Sequence, residues 1–97
     1  MQFEWDERKR KTNIRKHGFD FRDAVKIFNF PMLVASDDRF DYGEDRWVGV
    51  GMLEGRTVVV IFTERGVDTI RIISMMKALT YERIRYEQYL GNRLGNG

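Results

Sequence analysis

The 97-residue sequence contains no cysteine, one histidine and one proline. Without thiols, neither a disulfide framework nor a thiolate metal site can form, which agrees with a reducing compartment. The single histidine stands apart from the acids, and those cluster in a turn rather than at ligand spacing, so no metal motif is present. Long apolar runs are also missing: none approaches the roughly 18 residues of a membrane-spanning helix. The opening MQFEWDERKRK carries charge where a secretory signal needs its apolar stretch. A cytoplasmic protein without a membrane association is therefore expected. Phosphate loops are absent, because Gly49-Val50-Gly51 lies within a strand pattern and no glycine-rich turn opens a helix. Neither Ser36 nor Ser74 sits in a nucleophile signature. No cofactor is expected.

What is present suits one small globular core. The hydrophobic fraction of 42% and aromatic fraction of 13% do not fit a disordered chain. The formal charge of +2 is small but uneven. Arg8, Lys9, Arg10, Lys11, Arg15 and Lys16 follow one another without an intervening acid, whereas Asp37, Asp38, Asp41, Glu44 and Asp45 form an acidic pole. The basic pole suits nucleic acid or an acidic protein surface, or is simply a solvated helix face. Asp37-Asp38 and Asp41 resemble a weak calcium turn, but the EF-hand spacing is missing and a solvated turn is favoured.

Periodicity gives the order β-α-α-β-β-β-β-α. Phe3-Glu4-Trp5 alternates as a short strand. Asp6 is a good N-cap for a helix to about Lys16, with Gly18 as its left-handed terminator. Ile14 is that helix's only aliphatic residue, so it belongs on the rim. A second helix from Asp20 places Phe21, Ala24, Val25 and Phe28 on a core stripe with Ile27 beside them, and Pro31 bars its continuation. Residues 32–36 and 46–53 read as strands, with Glu54-Gly55 as a hairpin turn. Gly49 and Gly51 would let another backbone come close. Val58 to Phe62 suits a central strand buried on both sides. Residues 64–68 form a loop into a strand at 69–74, where Ile70, Ile72 and Ser74 share a face. Thr80 caps a last helix to Leu90 with its apolar residues scattered, and 91–97 form a flexible tail. The fold class is α+β: an antiparallel β-meander with two N-terminal helices and one C-terminal helix packed on one face.

The candidate chemistry lies in cations. Arg46, Arg65, Arg71 and Lys77 fall in or beside the meander, and Lys9, Arg10, Lys16 and His17 lie along the first helix. Metal-free RNA cleavage needs a base for the 2′-hydroxyl, cations for the phosphorane charge, and an acid for the leaving oxygen. His17 or Glu64 can move protons. Each also has a plainer role: His17 as a helix-end residue on the dipole, Glu64-Arg65 as a loop pair, Arg71 snorkelling at an edge.

The linear pattern adds to this. Phe3-Glu4-Trp5-Asp6, Lys9, Asn13 and Lys16-His17-Gly18 resemble the opening signature of the BrnT toxin family. So do Phe21 and Ala24, Gly43-Glu44-x-Arg46, Phe62-Thr63-Glu64-Arg65-Gly66, Arg71-Ile72-Ile73-Ser74 with Lys77-Ala78, and Glu82-Arg83 with Tyr86-Glu87. The similarity spans roughly residues 2 to 87. It implies a RelE-like toxin domain over residues 1–90, ribonuclease activity that arrests translation, and neutralisation by a BrnA-type antitoxin. A further implication is a dimer or toxin–antitoxin hetero-oligomer that reaches operator DNA only through the antitoxin. Carried over to this chain, Arg65, Arg71 and Lys77 are the catalytic cations, His17 and Glu64 the proton-transfer candidates, and Lys9, Arg10, Lys16 and Arg46 the RNA-binding ones. The chain departs from the family at Met75-Met76, where an Ala-Arg pair is usual. A non-catalytic basic binding module and a DNA-binding regulator are the competing readings; the latter lacks helix-turn-helix spacing.

Overall fold

Helix ends follow the side chains that can satisfy free backbone groups. In the computed structural model, which describes residues 1–95, β1 (Gln2–Glu4) leads to α1 (Glu7–His17). The Asp6 carboxylate accepts the backbone N–H groups of Arg8 at 2.8 Å and Lys9 at 3.1 Å. Gly18, at φ 76°, closes the helix by donating its N–H to the Ile14 carbonyl at 2.9 Å. Asp20 caps a 3₁₀ turn (Phe21–Asp23) that runs into α2 (Ala24–Phe28). The strands are β2 (Leu33–Ser36), β3 (Trp47–Leu53), β4 (Arg56–Arg65) and β5 (Thr69–Lys77), followed by α3 (Thr80–Gly95). Glu54 and Gly55 both take positive φ, 50° and 81°, as the two-residue hairpin turn between β3 and β4 requires.

The sheet order is β1-β5-β4-β3-β2. The meander β2 to β5 is antiparallel, and β1 pairs with β5 in parallel, so the sheet is mixed. Central β4 is buried from Val58 to Phe62, as expected from its unbroken apolar run. Its alternate residues serve different cores. Val58, Val60 and Phe62 pack with Phe21, Ala24 and Ile27 from the 3₁₀ turn and α2. Val59 packs with Val50 and Tyr86 of α3. The expectation that all helices share one face is thus corrected: β4 is apolar at both parities, and α3 covers the second face. Tyr86 anchors it, with its side chain buried and its hydroxyl donating to the Pro31 carbonyl at 2.7 Å. Burial of the ring also raises the Tyr86 hydroxyl above its ordinary pKa.

Five local expectations change. The second helix starts as a 3₁₀ turn, which shifts its phase, so Val25 faces solvent and Ile27 is buried. β5 carries a bulge opposite Ile61/Phe62, where Ile61 pairs with Ser74 and Phe62 with Ile72. The extra residue, Ile73, reverses the alternation, so Met75 rather than Ser74 joins Ile72 in the core. Beside Gly49 and Gly51 it is mainly side chains that come close: a Cβ at Gly51 would stand 2.6 Å from Ile27 Cγ2, and one at Gly49 2.6 Å from Met32 Cε. Finally, β4 extends through Arg65, which leaves only residues 66–68 as loop. Helix α3 continues to Gly95, beyond the expected end at Leu90, and residues 96–97 of the expected tail lie outside the described residues.

Rim helix α1 is held by one polar side chain. Asn13 is buried; its amide donates to the carbonyls of Phe19 and Met75, both at 2.9 Å, and its oxygen accepts the Met75 N–H at 3.1 Å. These bonds fix the end of α1 against the end of β5.

Candidate functional site

The junction set by Asn13 brings Lys16 and His17, at the end of α1, beside Lys77, at the end of β5. Three hollows adjoin there. One, of about 720 Å³, has a floor of Val48, Val59, Ile61 and Met76. Lys16, His17 and Lys77, residues 36–39, and Leu79, Tyr81 and Glu82 wall it. A second, of about 260 Å³, lies between Arg8, Lys9, Thr12, Lys16 and His17 of α1 and Ile73-Ser74 of β5. The third, of about 620 Å³, adds Arg56 and Arg83 to His17 and Lys77. His17 lines all three.

The surrounding groups are held by local bonds. Glu82 accepts the Leu79 N–H at 2.7 Å, so its carboxylate is fixed at the start of α3 in the manner of a capping box. Thr80, expected as the cap, is the first helical residue. Asp37 has its side chain buried and receives Arg39 Nε at 2.7 Å, Arg39 Nη2 at 2.9 Å and the Tyr42 hydroxyl at 3.2 Å. The Arg39 bonds hold its carboxyl below the usual carboxylate range. The Arg56 guanidinium stacks on Phe19 at 4.8 Å.

The remaining sequence-predicted residues lie elsewhere. Lys77 pairs with Val58 at one end of β4, whereas Arg71 pairs with Thr63 and Arg65 with Thr69 towards the other. At a strand rise of about 3.3 Å, those registers stand about 17 Å and 23 Å from Lys77. Arg71 is ion-paired with Glu4 across the β1–β5 pair. Alternation puts Glu64 on the opposite face from Arg65 and Arg71. Arg46 lies at this far end too, stacked on Tyr42 at 3.9 Å and bonded to Glu44 at 3.2 Å. Arg10 is committed within the fold: it grips Glu7 and, at 3.1 Å, Asp20, with its side chain 13% exposed. The five catalytic candidates therefore do not form one cluster. The structure brings together His17 and Lys77 with Lys16 and, one hollow away, Lys9. It leaves Glu64, Arg65, Arg71 and Arg46 at the far end.

Sequence reasoning missed Arg39, Arg56, Tyr81 and Glu82 as lining residues, and placed Arg83 only in its surface pair with Glu87. No short-range pattern marks them, because the hollows are assembled from elements distant in sequence. Among the described residues, no group of three or more His, Cys, Asp or Glu could hold a metal ion. No helix among them is long and apolar enough to cross a membrane.

Comparison with known proteins adds the decisive observation. One family profile, described as the ribonuclease toxin, BrnT, of type II toxin–antitoxin systems, matches residues 5–82. The chain belongs to the BrnT family. Its structure is also similar to the crystal structure of the Brucella abortus ribonuclease toxin, BrnT, with a TM-score of 0.69 and 35% sequence identity. That similarity covers 82% of this chain and 99% of the other. No curated protein matches the sequence. The matched segment begins before α1 and ends in the first turn of α3, so it includes every residue named above as lining the three hollows except Arg83. Membership in a type II toxin family also implies a protein antitoxin as partner.

Proposed function

We propose that this BrnT-family toxin is a metal-independent endoribonuclease whose reacting centre is the corner formed by His17, Lys16 and Lys77. The observation that carries the proposal is the position of His17 where three cation-lined hollows meet, with Lys16 and Lys77 each lining two of them. An imidazole is suited to proton transfer near neutral pH, and paired ammonium groups supply the charge that a phosphorane needs.

His17 removes the proton of a 2′-hydroxyl as the O2′–P bond forms. Lys16 and Lys77 balance the charge growing on the non-bridging oxygens. The P–O5′ bond then breaks, the leaving oxygen takes a proton from water, and the hydroxide left behind is neutralised by the proton that His17 releases. The products are a 2′,3′-cyclic phosphate and a 5′-hydroxyl end. Lys9 holds the neighbouring backbone along α1. Arg65 and Arg71 share a sheet face by alternation and serve as distant positioning cations, while Glu64, Arg10 and Arg46 take no part in the chemistry.

The antitoxin is of the BrnA type. It covers this corner in the cytoplasm with an acidic segment, and the resulting hetero-oligomer reaches operator DNA through the antitoxin. The surface supports such a partner: Leu79 and Tyr81, which line the same hollow as the cations, are 60% and 59% exposed.

The proposal is tested in cells that express the chain without antitoxin. Wild type is expected to arrest growth. His17→Ala and Lys77→Ala are expected to relieve the arrest while remaining folded by circular dichroism, and Arg65→Ala to retain most of it. Relief by Arg65→Ala together with full toxicity of the two corner variants would move the centre to the far end of the sheet.

A further inference from the structure

The largest of the three hollows has a character that phosphate binding alone does not explain. Its floor is apolar and comes from three neighbouring strands: Val48 of β3, Val59 and Ile61 of β4, and Met76 of β5. Pairing of Val48 with Ile61 and of Val59 with Met76 makes this floor a continuous cross-strand patch on one face of the sheet. Cations stand at one end, where Lys16, His17 and Lys77 meet. Polar groups able to bond the edge of a planar ligand stand opposite: Ser36, Asp38 and Arg39 from the turn after β2. At its rim is Tyr81, in the first turn of α3, 59% exposed although it is a large aromatic side chain. Tyr89 and Tyr86 of the same helix lie against one another with centroids 6.3 Å apart, whereas Tyr81 makes no ring contact among the described residues.

A ligand that fits all four features is flat and aromatic, has polar edges and is joined to a phosphate. We infer that this hollow binds one unpaired nucleobase of the RNA, stacked by Tyr81, so that the adjoining phosphate lies against His17 and Lys77. The inference rests on the ribonuclease reading of the same corner and names its substrate class: single-stranded RNA, read through a splayed-out base. A duplex cannot present such a base without being opened. Tyr81 is then a positioning residue. Its contribution is stacking, which every base can accept, while the edge groups set any preference among bases.

Binding and cleavage are measured separately, so that the two readings can fail separately. The binding probe is a mixed-sequence 2′-O-methyl tetranucleotide, which lacks the attacking hydroxyl and cannot be cleaved. Tyr81→Ala is expected to weaken its binding about tenfold, and Tyr81→Phe by less than about twofold, because the phenyl ring still stacks. On cleavable single-stranded RNA, Tyr81→Ala is expected to raise KM more than it lowers kcat, and to broaden the distribution of cut sites. Double-stranded RNA of the same sequence is expected to be cut far more slowly. Equal tetranucleotide binding by wild type and a folded Tyr81→Ala variant would overturn the base site, whatever the cleavage result. So would an equal loss in Tyr81→Phe, which would assign the effect to the hydroxyl. A wild-type protein that binds the probe through Tyr81 but leaves RNA intact would sink the ribonuclease reading and keep the base site.

Discussion

Asn13 shows most clearly how one residue can set the geometry of the corner. It is a polar group in a helix with almost no apolar face, and it bonds Phe19 and Met75, the latter 62 residues away in sequence. Replacing it by leucine leaves two carbonyls and one N–H unpaired in a buried place. Each such group costs about 1–3 kcal/mol, so Asn13→Leu is expected to destabilise the chain by about 3 kcal/mol or more. The thermal midpoint should fall by more than about 10 °C. Ile14→Ala, in the same helix but at a position 38% exposed, should cost less than about 1 kcal/mol. Calorimetry of the two variants decides the point; similar losses would contradict it. The caps at Asp6, Gly18 and Asp20 and the turn at Glu54-Gly55 were legible in the sequence because their partners lie within a few residues. Asn13 was not, since its partners come from other elements.

Among the elements, the strand order was largely readable, but the allotment of helices to faces was not. An apolar β4 says that both faces are covered without saying by which helix. The bulge at Ile73 left no mark either, so the alternation of β5 was misread after it. Electrostatics at the junction of α1 and the 3₁₀ turn can be tested by pH. Asp20 receives Arg22 through Nε at 3.0 Å and Nη2 at 2.8 Å, and Arg10 at 3.1 Å. The Arg22 side-chain bonds are the largest cause, and its carboxyl is held at about 2, below the ordinary value of 3.8. A carboxyl with a depressed folded pKa contributes stability above its unfolded pKa, and that contribution is lost as pH falls through the folded value. Wild type is therefore expected to lose thermal stability between about pH 4 and pH 2. Asp20→Asn should start lower and lose less over that range. Parallel pH profiles for the two proteins would show that this junction is not what the acid disrupts.

At the scale of the whole molecule, the sequence singled out a set of cations and hid their separation. Arg65, Arg71 and Lys77 are close in sequence, yet Arg65 and Lys77 lie at opposite ends of the β4–β5 pair because an extended chain covers about 3.3 Å per residue. His17 and Lys16, far from Lys77 in sequence, are its neighbours because Asn13 docks α1 on β5. The basic run before His17 was legible despite the small net charge of +2, but its meeting with Lys77 was not. Family membership says what kind of toxin this is, and the corner proposes where it acts.

The central claim, RNA cleavage by protein side chains at His17, is tested most directly by incubating the purified chain with single-stranded RNA in excess EDTA and analysing the ends. Cleavage that EDTA does not abolish is expected, with 2′,3′-cyclic phosphate and 5′-hydroxyl ends and a loss of about 100-fold or more in His17→Ala. RNA left intact in EDTA but cut when a divalent metal is restored, or full activity in a folded His17→Ala protein, would contradict it.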